Sequence, residues 1–151
     1  MKKVQKEGFN VVGISIRTDN VSGKAAEQIG GLFARFLGEN LQEQIKGKLG
    51  SDIYSVYTHY EGDHTKPYDV ILGCKTENLA QIPEGMVGIY LESGEYAAFT
   101  AKGNLQEGVV FKTWQKIWEM DLDRKYTADY EVYGEKTANP EDAEVDIFIA
   151  I

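Results

Sequence analysis

A single cysteine, Cys74, leaves the chain without the partner that an internal disulfide needs. A lone thiol in an acidic chain fits a reducing cytoplasm, and there Cys74 reads as a small buried apolar residue rather than a nucleophile. Long apolar runs are missing as well, since no stretch approaches the roughly 18 to 20 residues a membrane span requires. The basic, then apolar N-terminus MKKVQKEGFNVVGISI alternates, contains Ser15 and runs into Arg17, so it reads as a strand and not as a signal peptide. Positive charge is scarce. Lys and Arg number 16 against 24 Asp and Glu, a net charge of -8 with the acids spread along the chain. The phosphate contacts that drive nucleic-acid binding have little to draw on, whereas cationic small molecules are weakly favoured. No Ser-His-Asp or Cys-His arrangement stands at a familiar spacing. The segment Ala101-Lys102-Gly103-Asn104 lacks phosphate-loop spacing and reads as a helix entry. His59 and His64 flank Glu61 and Asp63 without a second ligand cluster, so a solvated turn is expected, with no metal and no cofactor.

What is present is a mixed pattern sized for one domain, residues 1–151. Phe9 to Arg17 alternates as a strand. Ala25, Ile29, Leu32, Phe33, Phe36 and Leu37 then recur at three- and four-residue spacing, which predicts an amphipathic helix to about Leu41 with Ser22 as N-cap. Gly30-Gly31 inside it costs about 1 kcal/mol per glycine relative to Ala, and close approach of a backbone or a ligand would account for the pair. Two strands follow, Ile53 to Tyr60 and Tyr68 to Lys75. The second half repeats the order: Met86 to Thr100 with a break at Ser93-Gly94, a helix from Leu105 to about Leu122, then strands Tyr126 to Tyr133 and Val145 to Ile151. Strand, helix, strand, strand thus occurs twice, over about 9–76 and 86–151. The expected fold is α+β, with duplicated βαββ units joined in one curved antiparallel sheet, both helices on one face and a groove between them.

Within the strand that follows the second helix stands Tyr130-Glu131-Val132-Tyr133. Alternation places Asp129, Glu131 and Tyr133 on one face and Ala128, Tyr130 and Val132 on the other. By pattern alone the acidic face is the solvated one, as in an ordinary antiparallel strand. If it is buried instead, the carboxylate needs a cation or a proton. Trp114 and Trp118 stand one helical turn apart, with Phe111 a turn earlier, an aromatic ridge that suits a core or a pocket wall. Phe33, Phe36 and Leu37 could form the opposite wall. The tyrosines, among them Tyr57, Tyr60, Tyr68, Tyr90 and Tyr96, favour a pocket that mixes apolar area with hydroxyls, though tyrosine is also an ordinary strand residue. Asp146, which shares a face with Phe148, is a further groove or edge candidate.

The segments VYTHYEGDHTKPYDVILGC, IPEGMVGIYLESGEYAAFTAKG, TWQKIW and YTADYEVYGEKTANPEDAEVDIFIAI resemble the GyrI-like small-molecule-binding family, the effector-binding domain of AraC-type and multidrug-responsive regulators. The resemblance runs in order from about Phe9 to Ile151. It implies a groove for small hydrophobic or cationic compounds, with Glu131 of the D-x-E-x-Y strand inside it among aromatic neighbours. Taken with the aromatic ridge, the opposite wall and the tyrosines above, the expected ligand-binding set is Glu131, Trp114, Trp118, Tyr133, Phe33 and Tyr90. Relatives in transcription factors carry a helix-turn-helix before this domain. Here about eight residues precede the first strand, so a stand-alone binding protein is expected, without direct nucleic-acid or membrane binding, acting by sequestration or through a partner regulator protein. A small hydrolase using a Glu and Tyr pair in the same groove is the rival reading.

Overall fold

The computed structural model describes all residues, 1–151, in the order β1 (Lys2–Lys6), β2 (Phe9–Thr18), α1 (Ala25–Gly38), β3 (Ile53–Thr58), β4 (Tyr68–Thr76), β5 (Val87–Leu91), β6 (Gly94–Gly103), α2 (Val109–Glu119), β7 (Ala128–Tyr133) and β8 (Ala143–Ala150). All eight strands join one antiparallel sheet in the order β1-β6-β8-β7-β3-β4-β2-β5. The order is palindromic about the β7–β3 pair. The unit β2-α1-β3-β4 lies on one side and β6-α2-β7-β8 on the other, which is the duplicated βαββ arrangement. No helix is long and apolar enough to cross a membrane.

The sheet cannot be flat. β5 and β6 are joined by only Glu92 and Ser93 yet lie six strand positions apart. At about 4.8 Å per strand a flat sheet would separate them by about 29 Å, while the linker spans at most about 11 Å. The two ends must therefore curl toward each other. Residues of the inner face meet as a result: Tyr130 of β7 packs against Phe9 of β2 at 5.2 Å and Tyr96 of β6 at 5.6 Å between ring centroids. Val11, Val56, Ile71, Leu91, Ala128 and Ala150 complete that inner cluster. Both helices lie on the other face, where Leu32 and Phe36 of α1 and Trp114 and Ile117 of α2 join the larger core. Where β2 crosses β4, Gly13 faces Gly73; a Cβ on either would stand about 2 Å from the opposite backbone.

Several boundaries differ from the sequence reading, each for a local reason. β1 was not anticipated; it pairs along β6 as an edge strand, with most of its side chains exposed. Ser22 does not cap α1, which begins after Lys24, because the Ser22 hydroxyl accepts only from the Lys24 N–H. The helix stops at Gly38, Asn40 turns left-handed and Leu41 opens a separate short turn. Before α2, Gly108 at φ 76° divides a three-residue turn (Leu105–Glu107) from the helix proper, which ends at Glu119. Tyr126, at φ 55°, breaks the approach to β7 and delays that strand to Ala128.

Candidate functional site

Between the two helices, above the central β7–β3 pair, lies a cavity of about 420 Å³. α1 supplies one wall with Ala25, Ala26, Ile29, Gly30 and Phe33, and α2 the other with Val110, Phe111, Trp114 and Trp118. Tyr57, Tyr68, Glu131 and Tyr133 rise from the sheet, while Tyr60, Asn20, His64, Leu105 and Arg124 come from the connecting segments. Helical spacing puts Ile29 and Phe33 one turn apart, so both reach the same gap, and the rings interlock across it. Phe33 meets Tyr133 edge-on at 5.1 Å, Tyr57 meets Trp114 at 5.4 Å, and His64 stacks on Trp118 at 5.5 Å with 10° between planes.

Glu131 is 1% exposed, and the solvated-face reading of β7 fails because the helices cover the face it occupies. Its Oε2 accepts from the Trp114 Nε1–H at 2.6 Å and the Tyr57 hydroxyl at 3.0 Å, and its Oε1 from the Tyr133 hydroxyl at 2.7 Å. Loss of hydration pushes its carboxyl above the ordinary value of 4.5, opposed by the bonds from Tyr133, Trp114 and Tyr57. No Lys, Arg or His pairs with it. Burial also pushes the Tyr57 and Tyr133 hydroxyls well above their usual range and Tyr68 to about 12, in each case with the Glu131 charge adding to the rise, so these phenols stay protonated as donors at neutral pH.

Two residues along β7 stands a second buried acid. Asp129 is fully buried; its Oδ1 accepts from the Ala150 N–H at 2.8 Å, and its Oδ2 from the Tyr60 hydroxyl at 2.7 Å and Arg124 Nη2 at 2.8 Å. Arg124 packs over the Tyr126 ring at 4.3 Å and the Tyr60 ring at 5.9 Å. Burial works against the Arg124 charge, but the neighbouring Asp129 carboxylate offsets it and holds the guanidinium protonated. Asp129 is therefore neutralised from within the protein and Glu131 is not.

Of the residues singled out from sequence, Glu131, Trp114, Trp118, Tyr133 and Phe33 come together at this cavity, along with Tyr57, Tyr60 and Tyr68. Tyr90 does not join them: it lies on the edge strand β5, 54% exposed and outside the lining. Phe36 turns into the core and Leu37 to solvent, so neither forms a wall. Tyr96 packs in the inner cluster, and Asp146 accepts from the Thr100 hydroxyl on the neighbouring strand. Gly30 lines the cavity, and a Cβ added there would meet no atom within 4 Å, which favours room for a ligand over close backbone contact; Gly31 has the same free space outside the lining. His59 pairs with Asp69 at 2.7 Å, and no group of His, Cys, Asp and Glu is placed to hold a metal. No local pattern singles out Arg124 or the burial of Asp129. The shared parity of Asp129 and Glu131 was the one available signal.

Comparison with known proteins bears on this geometry. Residues 4–151 match the family described as Cass2, integron-associated effector binding protein. The chain belongs to the Cass2 family. Its GyrI-like character agrees with the solved structures it resembles. The Cass2 integron cassette protein from the mobile metagenome of Vibrio cholerae shares 30% identity and a TM-score of 0.75, over 99% of this chain and 94% of that one. SAV2435, solved with tetraphenylphosphonium bound, shares the fold at a TM-score of 0.79 with 19% identity, over 98% and 91% of the two chains. The candidate transcriptional regulator YobU of Bacillus subtilis (strain 168) is 29% identical over 143 residues, 92% of this chain and 89% of its own length. Effector binding is thus the activity for which the Cass2 family is described.

Proposed function

We propose that this Cass2-family chain is a receptor for lipophilic small molecules, cations above all, held between α1 and α2 with Glu131 as countercharge. The observation that carries the reading is a fully buried carboxylate at an aromatic cavity that accepts from three neutral donors but is paired with no cation. A ligand cation would complete the charge balance, and the rings of Trp114, Trp118, Tyr57 and Tyr133 would add cation-π attraction of about 0.5 to 2 kcal/mol per good contact. The tetraphenylphosphonium held by SAV2435, on the same fold, is a ligand of this class. Binding in this way serves sequestration, or signalling to a partner regulator.

The two tryptophans of the chain both line the cavity, so intrinsic fluorescence reports occupancy directly. Titration with tetraphenylphosphonium is expected to give saturable quenching, reversed by competing lipophilic cations. Absence of saturable quenching together with no heat of binding up to millimolar ligand would overturn the proposal. The hydrolytic reading draws on one observation, the raised Glu131 carboxyl 2.7 Å from the Tyr133 hydroxyl. It requires product from an electrophilic substrate, lost in Glu131→Gln.

A further inference from the structure

Three rings stand between the cavity and its one carboxylate. Tyr57, Trp114 and Tyr133 line the cavity, and the same three donate to Glu131: Tyr57 and Trp114 to Oε2, Tyr133 alone to Oε1. Glu131 itself is 1% exposed, so what lone-pair capacity remains on its oxygens offers almost no surface to a ligand. A cation entering between the helices therefore meets aromatic carbon before it meets carboxylate oxygen.

The rest of the lining offers no anionic acceptor either, since Glu131 is its only acid. The other phenols direct their hydrogens into the wall, Tyr60 to Asp129 at 2.7 Å and Tyr68 to Asn20 Oδ1 at 2.6 Å, and Asn20 in turn donates to the His64 carbonyl at 2.8 Å. What is left to receive a hydrogen is neutral: phenol oxygens and the His64 ring. A protonated amine gives up strong hydrogen bonds to water on entry and finds no charged acceptor within reach. A quaternary onium ion has no polar hydrogen to satisfy. Its carbon substituents keep its centre about 4 to 5 Å from any oxygen, a separation at which the field of Glu131 still acts, and its surface suits the ring faces.

We propose that the cavity sorts cations by hydrogen-bonding capacity, taking quaternary onium ions and excluding protonated amines of equal size and charge, because the three-ring shell transmits the charge of Glu131 but covers its lone pairs. This rests on the small-molecule reading above and narrows it from lipophilic cations in general to cations without a polar hydrogen. Tyr133 is the part of the shell that can be opened alone: without its hydroxyl, Oε1 has no donor left.

The probes are two isomeric cations, 4-trimethylammonio-biphenyl and protonated 2-(biphenyl-4-yl)propan-2-amine. Each carries a branched head of one nitrogen and three carbons with a single positive charge at neutral pH, so size, shape and charge match and only the amine has N–H groups. Calorimetric titration of the wild-type protein is expected to show the trimethylammonio isomer binding at least about tenfold more tightly. In Tyr133→Phe the ring stays while Oε1 becomes available to a ligand N–H, a charge-assisted bond, and the preference is expected to fall about tenfold. A smaller wild-type preference, or tighter binding of the amine, while tetraphenylphosphonium binds, overturns the sorting and leaves the cavity reading standing. A preference that is unchanged in Tyr133→Phe equally overturns it, since discrimination then lies outside the shell. If no cation binds, tetraphenylphosphonium included, both readings fall. The wild-type comparison decides the matter even if the phenylalanine variant does not fold.

Discussion

Replacing Glu131 by Gln removes one charge while keeping the side chain's size, and the effect on binding can be worked from the site. A cation about 4 to 5 Å from the carboxylate gains about 3 to 4 kcal/mol at an effective dielectric of about 20. Part of this offsets the hydration the ligand gives up, so about 1.5 to 3 kcal/mol is the expected net loss in Glu131→Gln, or about 10- to 150-fold in Kd. The control is shape: trimethylammonio-biphenyl against tert-butyl-biphenyl, where only the cation should weaken. The pH dependence has a definite sign. Burial raises the Glu131 carboxyl in the ligand-free protein and a bound cation lowers it, so binding near that value releases protons and cation affinity falls as pH drops through it. Calorimetry in buffers of different ionisation enthalpy reads the released proton. The same raised value means that the folded protein holds this proton more tightly than the unfolded chain. Its contribution to stability is therefore greatest at pH below the unfolded carboxyl value and is lost as pH rises through the folded one. Glu131→Gln should then be more stable than wild type at neutral pH when both are ligand-free. Equal weakening of the cation and its neutral match, or a pH-independent cation affinity across the acid range, would refute the countercharge role.

Other perturbations test the frame around that site. Asp129→Asn leaves the Arg124 charge buried without its counterion and should cost about 3 to 5 kcal/mol, read as a lowered urea midpoint. Trp114→Phe deletes the 2.6 Å donor to Glu131 and is expected to cost about 1 to 3 kcal/mol, with a lower Tm. Gly30→Ala should stabilise α1 by up to about 1 kcal/mol because its Cβ meets open space, whereas Gly30→Leu should fill the cavity and weaken tetraphenylphosphonium binding without lowering Tm. Gly73→Ala drives a Cβ into the Val12 carbonyl and should be strongly destabilising, an effect that denaturant titration would show.

The sequence by itself determined the order of elements, the doubled βαββ pattern and the parity of β7, because two- and 3.6-residue periods are local and survive any tertiary arrangement. The charge within the Tyr130 to Tyr133 run likewise marks Glu131 from sequence alone. Parity says that Asp129, Glu131 and Tyr133 share a face, but not what covers that face, and by pattern alone the face belonged to solvent. Coverage is a long-range matter. The two-residue link between β5 and β6 forces the sheet to curl, so the Tyr130 face closes on itself, and the helices shield the Glu131 face. Only that assembly separated Phe33 from Leu37 on one helix, left Tyr90 on an outer edge and brought Arg124 to Asp129. Glu131 owes its place beside the cavity, with three donors and no cation, to contacts made by residues up to 74 positions away in the chain.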